Sequence, residues 1–263
     1  MSRITTRFER LRAQGRKGFV PYITAGSPDI PFTLALARML ERRGADILEL
    51  GLPHTDPIAD GPTNQRAAQQ ALDTGMTPQH LLDAVHELRR TGFSLPIVLF
   101  TYTNPLRSLM ARSEGMKGLE GIDGILVTDL PPEEAEDHIE RCRAADIDTI
   151  FLTAPTTQTT RLEAITAASR GFLYYVSSKG VTGARSDLPD DLEAQVGRLR
   201  LATDLPICVG FGIGNREIAA RVCSVADGFV VGSALGKTIE EARAEGSDPL
   251  AAAEHFIERL DPR

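Results

Sequence analysis

The chain has 263 residues, 42% of them hydrophobic, enough to bury a substantial core and a common size for one α/β barrel. Its formal charge of −7, from 36 acidic against 29 basic residues without a long basic run, gives no reason to expect nucleic acid and favours a small-molecule task. The opening MSRITTRFERLRAQGRKGF lacks an apolar h-region, no window of 18 or more apolar residues occurs, and Cys142, Cys208 and Cys223 stand alone with no CxxC pair; secretion, membrane insertion, a disulfide framework and a zinc site are therefore not expected, and the cytoplasm is the expected compartment.

In chain order, residues 5–14 read as a helix that precedes the first strand and plugs the bottom of the fold. Eight short β-branched or apolar runs follow: FVPYITAG, ADILELG, LPIVLFTY, DGILVTDL, DTIFLTAP, GFLYYVS, LPICVGFG and DGFVVGSA. Between them lie segments of helical spacing, such as DIPFTLALARMLERRG and PEEAEDHIERCRAA, with apolar residues three or four apart and acids leading basic residues. Strands alternating with helices imply parallel βαβ units, and eight such units predict a closed (β/α)₈ TIM barrel spanning residues 1–263 as one domain, with the N-terminal helix capping its bottom. A weak internal echo agrees: GADILEL, GIDGILV and VADGFVV each place a small residue and an aspartate at a strand entrance. No proline- or serine-rich linker divides the chain. A doubly wound sheet would have fewer strands and one dominant glycine fingerprint after the first strand, whereas here the glycines cluster late.

The second run carries a carboxylate. Alternation puts Leu48 and Leu50 towards the helices and Ile47 and Glu49 into the barrel interior, near the active end of the strand. A buried carboxylate is costly unless paired, hydrogen-bonded or protonated, which are also the conditions that tune an acid/base group. Asp60 follows in the next loop, before Gly61 and Pro62, where an aspartate also serves as a turn former. Glycine-bearing loops after the last three strands, Gly180–Gly183, Gly210–Gly214 and Val231–Gly236, match the phosphate grip that barrels build from backbone N–H groups and a short helix. GFGIGN fits a dinucleotide fingerprint poorly, in spacing and in position. None of Lys17, Lys117, Lys179 and Lys237 falls within a predicted strand, as a Schiff-base aldolase would need. His54, His80, His86, His138 and His255 are scattered, with only His54 at a plausible mouth, so no metal site is expected. What remains is an acid/base site with two carboxylates, a phosphate grip and apolar walls, to which Tyr22, Phe100, Tyr174 and Phe211 are placed to contribute.

These residues closely resemble the tryptophan synthase alpha subunit family. The matching stretches are PYITAGSPD, ELGLPHTDPIADGPTNQRA, TYTNP, TDLPPEEA, APTT, YYVSSKGVTGAR, VGFGIG and ADGFVVGSAL, in the family's order and spacing from about Phe19 to Leu235. The resemblance implies cleavage of indole-3-glycerol phosphate into indole and glyceraldehyde 3-phosphate, with no cofactor in this chain. Glu49 would give and accept the protons, and Asp60 would stabilise positive charge on the indole nitrogen. Tyr22, Phe100 and Phe211 would contact the indole ring, and Tyr174 would sit beside Asp60 and the ligand. Thr182 would orient Asp60 from a closing loop at about residues 178–188, with a second lid loop at about 53–61. Gly183, Gly212, Gly232 and Ser233 would hold the phosphate. Asp56, Asn104 and Asp129 would lie at or near the face that docks a beta subunit in an α₂β₂ assembly, and that partner would join indole to serine with its own pyridoxal phosphate. His54 and Thr55 stand where Phe-Ser is commoner, and Thr103 where Tyr is frequent. A stand-alone lyase with the same site, and a non-catalytic barrel that only activates the partner, are the alternatives; retention of both Glu49 and Asp60 argues against the latter.

Overall fold

Parallel strands covered by helices on one side and facing a barrel interior on the other are buried on both faces, and every run identified above is apolar enough for that. The computed structural model describes residues 1–176, 191–210 and 212–263. Its strands are β1 (Gly18–Thr24), β2 (Leu48–Gly51), β3 (Ile97–Thr101), β4 (Gly124–Val127), β5 (Asp148–Ile150), β6 (Leu152–Thr153), β7 (Leu173–Val176), β8 (Ile207–Gly210) and β9 (Gly228–Val231). All pair in parallel, in the order β5-β4-β3-β2-β1-β9-β8-β7-β6. The fifth predicted run supplies both sheet ends: β5 pairs with β4, and β6 pairs with β7 on the far side of Phe151. Strands tilt in a closed barrel, so one stave meets one neighbour with its first half and the other with its second. Nine segments therefore make eight staves, and the sheet closes through Phe151, whose carbonyl accepts the Tyr174 N–H at 3.2 Å.

The α-helices among the described residues are α1 (Arg3–Ala13), α2 (Ile30–Arg42), α3 (Pro62–Asp73), α4 (Pro78–Arg90), α5 (Thr103–Arg112), α6 (Glu136–Ala144), α7 (Thr159–Ala168), α8 (Leu192–Arg200), α9 (Arg216–Val225), α10 (Ser233–Ala244) and α11 (Pro249–Leu260). None is long and apolar enough to cross a membrane. Their starts follow local chemistry. Asp29 accepts the Phe32 N–H at 2.7 Å ahead of α2, and Asn215 accepts the Ile218 N–H at 2.9 Å ahead of α9, each supplying a partner that the first helical turn lacks. Leu48 and Leu50 join the layer between strands and helices, while Ile47 joins a second cluster inside the barrel with Val20, Val98, Leu126, Ile150, Phe172, Tyr174, Cys208 and Val230. That is the alternation expected from the sequence.

Helix α1 closes the bottom as expected. Ser2 caps it by accepting the Thr5 N–H at 3.1 Å, and its one buried stripe, Ile4, Phe8 and Leu11, belongs to the interior cluster. The spacing of four and three puts these side chains on one helix face. Gly124 is small for this reason: a Cβ there would stand 2.9 Å from the Ile4 side chain.

The echoed aspartates form the floor. Asp46 accepts the Phe19 N–H at 2.9 Å while its own N–H donates to the Phe19 carbonyl at 2.8 Å. Asp123 does the same with Ile97, at 2.8 and 2.8 Å, and Asp227 with Ile207, at 2.9 and 2.9 Å. Each thus latches the entrance of its own strand to that of the preceding one. An arginine completes each latch: Arg263 on Asp46, Arg89 on Asp123 at 2.6 Å and Arg200 on Asp227 at 3.0 Å. Replacing Asp123 by Ala leaves the Ile97 amide and the Arg89 guanidinium short of a partner; the expected cost is roughly 3 kcal/mol, read as a lower urea midpoint with an unchanged denaturant slope.

Candidate active site

Glu49 lies in the middle of β2, flanked in register by Tyr22 on β1 and Val98 on β3. It is fully buried, and among the described residues neither carboxyl oxygen has a hydrogen-bond partner. Burial alone pushes its pKa from 4.5 up to about 8. A carboxyl so placed stays protonated at neutral pH, because nothing around it solvates the anion. Directly above it, β2 ends in Gly51. A Cβ at Gly51 would collide with the Tyr22 hydroxyl, and one at Gly210 would collide with the Tyr174 hydroxyl. Two glycines therefore let two tyrosine rings lie across neighbouring strands inside the mouth. Tyr22 packs edge-on against Phe100, with ring centroids 5.1 Å apart at 75°. Partly buried Phe100, Leu152 and Val176 continue the apolar wall.

Asp60 is held differently. It ends the loop after β2, one residue before Gly61 caps α3, and it is 7% exposed. The Tyr102 hydroxyl donates to its Oδ2 at 2.7 Å and in turn accepts the Ala59 N–H at 3.1 Å. Gln65 Nε2 donates to the Asp60 carbonyl at 2.9 Å. Burial raises the Asp60 pKa, while hydrogen bonds from Tyr102 and Asn64 and the charge of His54 oppose that rise. The carboxyl groups of Glu49 and Asp60 both act on the Tyr22 and Tyr174 hydroxyls, whose pKa values are raised mainly by burial and further by those charges. Both carboxyl groups and both rings therefore share one space.

Beside β1, β9 ends at Val231 and α10 starts at Ser233. Gly232 contributes no capping side chain, and the first amides of a helix have no intrahelical acceptor, so this end suits an anion. Gly212 follows β8 with a left-handed φ of 81° that favours glycine. Thr182, Gly183 and Phe211, and the lid expected at residues 178–188, lie outside the described residues. Asp56 and Asn104 are exposed. Asp129, also exposed, accepts the Thr103 N–H at 2.7 Å and its hydroxyl at 2.9 Å, tying the loop after β4 to the start of α5. Among the described residues, no three His, Cys, Asp or Glu side chains converge in a way that could hold a metal ion.

Sequence reasoning missed Tyr102. It stands within the quoted TYTNP stretch, two residues beyond the inward-facing Phe100, and that parity was the available signal. The hydrogen bond of Asn64 and the charge of His54 that act on Asp60 needed the fold of the loop and of the start of α3.

Barrel and buried carboxyl pair together define the class: a (β/α)₈-barrel enzyme. The family model described as tryptophan synthase alpha chain matches residues 8–261. A tryptophan synthase alpha chain from Nitrosococcus oceani is 48% identical over 242 residues, covering 92% of this chain and 89% of its own length. One from Laribacter hongkongensis is 44% identical over 253 residues, covering 96% of each. The crystal structure of tryptophan synthase subunit alpha from Legionella pneumophila superimposes with a TM-score of 0.89 at 36% identity, covering 98% of this chain and 96% of that one. A Mycobacterium tuberculosis tryptophan synthase structure gives 0.86 at 34% identity, covering 98% of each chain. The chain belongs to the tryptophan synthase alpha chain family.

The upward shift of Glu49 has a stability consequence of definite sign. Folding favours its protonated form, so the penalty is absent below pH 4.5, grows between 4.5 and about 8, and is fully present above. Glu49→Gln is expected to be more stable than the parent at pH 9 by a few kcal/mol, roughly, and to lose that advantage at pH 5. Thermal melts of both proteins across that range check it.

Proposed function

We propose that the chain is the alpha subunit of tryptophan synthase, acting as one barrel domain that cleaves indole-3-glycerol phosphate into indole and glyceraldehyde 3-phosphate. The observation that carries the reading is the contrast between the carboxyl groups: Glu49 has no hydrogen-bond partner among the described residues and is raised to about 8 by burial alone, and Asp60 is held by the Tyr102 hydroxyl.

Protonated Glu49 donates its proton to indole C3, which moves positive charge onto the ring nitrogen. Asp60 accepts a hydrogen bond from that N–H and stabilises the charge. The bond from C3 to the side chain then breaks, its electron pair restoring the indole ring. The adjacent side-chain hydroxyl becomes the aldehyde as it loses its proton to the Glu49 carboxylate. Glu49 ends as it began, and no proton is gained or lost overall. A carboxyl with a pKa of about 8 gives up and regains a proton near neutral pH with little driving force either way, which suits it to both steps.

Tyr22, Phe100 and Phe211 would line the ring's pocket, with Tyr174 beside Asp60. Thr182 would orient Asp60, and Gly183, Gly212, Gly232 and Ser233 would hold the phosphate with backbone amides, helped by the open end of α10. Asp56, Asn104 and Asp129 would meet the beta subunit in an α₂β₂ assembly; Ile58, 66% exposed on the same loop as Asp56, supplies apolar surface for that contact. Pyridoxal phosphate would belong to the beta subunit, and the assembly to the cytoplasm.

Indole release from indole-3-glycerol phosphate is the test, run with and without a cognate beta subunit. Slow release that rises by orders of magnitude with the partner supports the reading; no release in either case overturns it. Glu49→Gln is expected to lower turnover at least about a thousandfold while leaving binding of a substrate analogue largely intact, and near-normal turnover would remove Glu49 from its role. Asp60→Asn is expected to slow cleavage roughly a hundredfold or more, and a mild effect would reduce Asp60 to a turn residue.

A further inference from the structure

His54 is the one histidine at the mouth, in the loop that joins β2 to α3. It is partly buried, whereas Thr55, Asp56 and Ile58 beyond it are exposed. One side of it opens on a surface concavity formed with Asp56, Pro57, Ile58, Gln65 and Arg66. On the other side its ring packs on Tyr102, centroids 5.2 Å apart at 39°. Tyr102 is the residue whose hydroxyl grips Asp60 at 2.7 Å. Three side chains thus run inward from the outer surface to a carboxyl group of the site.

We propose that His54 is a positioning residue for Asp60: its ring braces Tyr102 from outside, and the charge that its imidazole gains on protonation keeps the Asp60 carboxylate ionised in more acid solution. The proposal rests on the reading that Asp60 acts as an ionised carboxylate in the cleavage. Among the described residues, the other charged or titratable groups around His54 do not cancel its effect. Asp56 and Asp60 share its loop, and neither side chain brings a second positive charge. Arg66 faces the concavity from α3, but its guanidinium is held by Glu240 of α10 at 2.6 and 2.7 Å. Tyr102, from the end of β3, is neutral, since burial and its bond to Asp60 raise its pKa. Histidine is the side chain that changes charge within the range where an enzyme commonly works. A phenylalanine here would keep the brace and lose the charge.

The sign is definite. Burial raises the Asp60 pKa, and a positive charge nearby lowers it again. Removing the charge should therefore move Asp60 upward. The experiment uses the full chain with its cognate beta subunit, comparing the parent with His54→Phe and His54→Gln, two uncharged replacements of different shape. Carbon-13 labelled aspartate reports the Asp60 titration by NMR, and the pH dependence of kcat/KM for indole release reports the acid limb. In both variants the two readouts are expected to move upward together by about half a pH unit or more. A merely structural role would change the height of the profile and leave the limb in place. If Asp60 titrates in the variants as it does in the parent, the proposal is overturned, whatever the activity. If Asp60 moves but no protein releases indole, the coupling stands and the proposed function falls.

Discussion

The molecule is organised around a carboxyl group set in an apolar interior. Glu49 points into the barrel, among side chains selected for packing, and neither oxygen finds a partner among the described residues. Ionisation there is unfavourable, so the group keeps its proton to about pH 8. The described residues around it preserve that condition. Ile47 fills the space below, Gly51 and Gly210 leave room above for the Tyr22 and Tyr174 rings, and no described cation approaches the carboxyl. A lysine or arginine near Glu49 would stabilise the anion and remove its capacity to donate.

Asp60 shows the opposite solution to the same burial. Tyr102, just past β3, and Asn64 of α3 supply its hydrogen-bond donors, and the Tyr102 hydroxyl fixes the direction of its carboxyl while being fixed itself by the Ala59 amide of the loop. One acid has its pKa raised by burial with no described partner to oppose the rise, and the other has hydrogen bonds and a nearby charge that oppose it. The difference in environment arises from position: one stands on a strand of the rigid barrel, and the other at the end of a loop beside Tyr102 and Asn64. Since the Asp60 support runs through a loop at the rim, it is open to influence from outside in a way that Glu49 is not.

Much of this was legible in the sequence. Eight apolar runs and the spacing between them specify a barrel, and strict alternation within ADILELG assigns Glu49 to the interior, because a strand has a period of two. The plugging helix was readable as a helical stretch at residues 5–14 ahead of the first strand, whereas its buried stripe of Ile4, Phe8 and Leu11 emerged only in the structure. The echoed aspartates were visible as a pattern but not as an interaction, because the partners of Asp46 lie 27 and 217 residues away. Tyr102 was missed for a related reason: its importance comes from the path of the loop after β2, which no periodicity encodes. The split of the fifth stave at Phe151 depends on barrel tilt, a property of the closed sheet rather than of that segment.

The floor latches also bear on how such a barrel comes together. Asp46 joins the first two staves, Asp123 the third and fourth, and Asp227 the last two, while Asp148 accepts a hydrogen bond from Ser2 at the start of the plugging helix. Each strand latch links neighbours in the chain across a single connection, so its loop is short and its closure entropy modest. Six of the eight staves are thus grouped at the base into two-strand modules, and of the two staves between the second module and the last, the fifth is tied to the plug through Asp148. Assembly can proceed by making each module locally and bringing the modules together afterwards, so that the long-range closure of the ring is the final event and not the first.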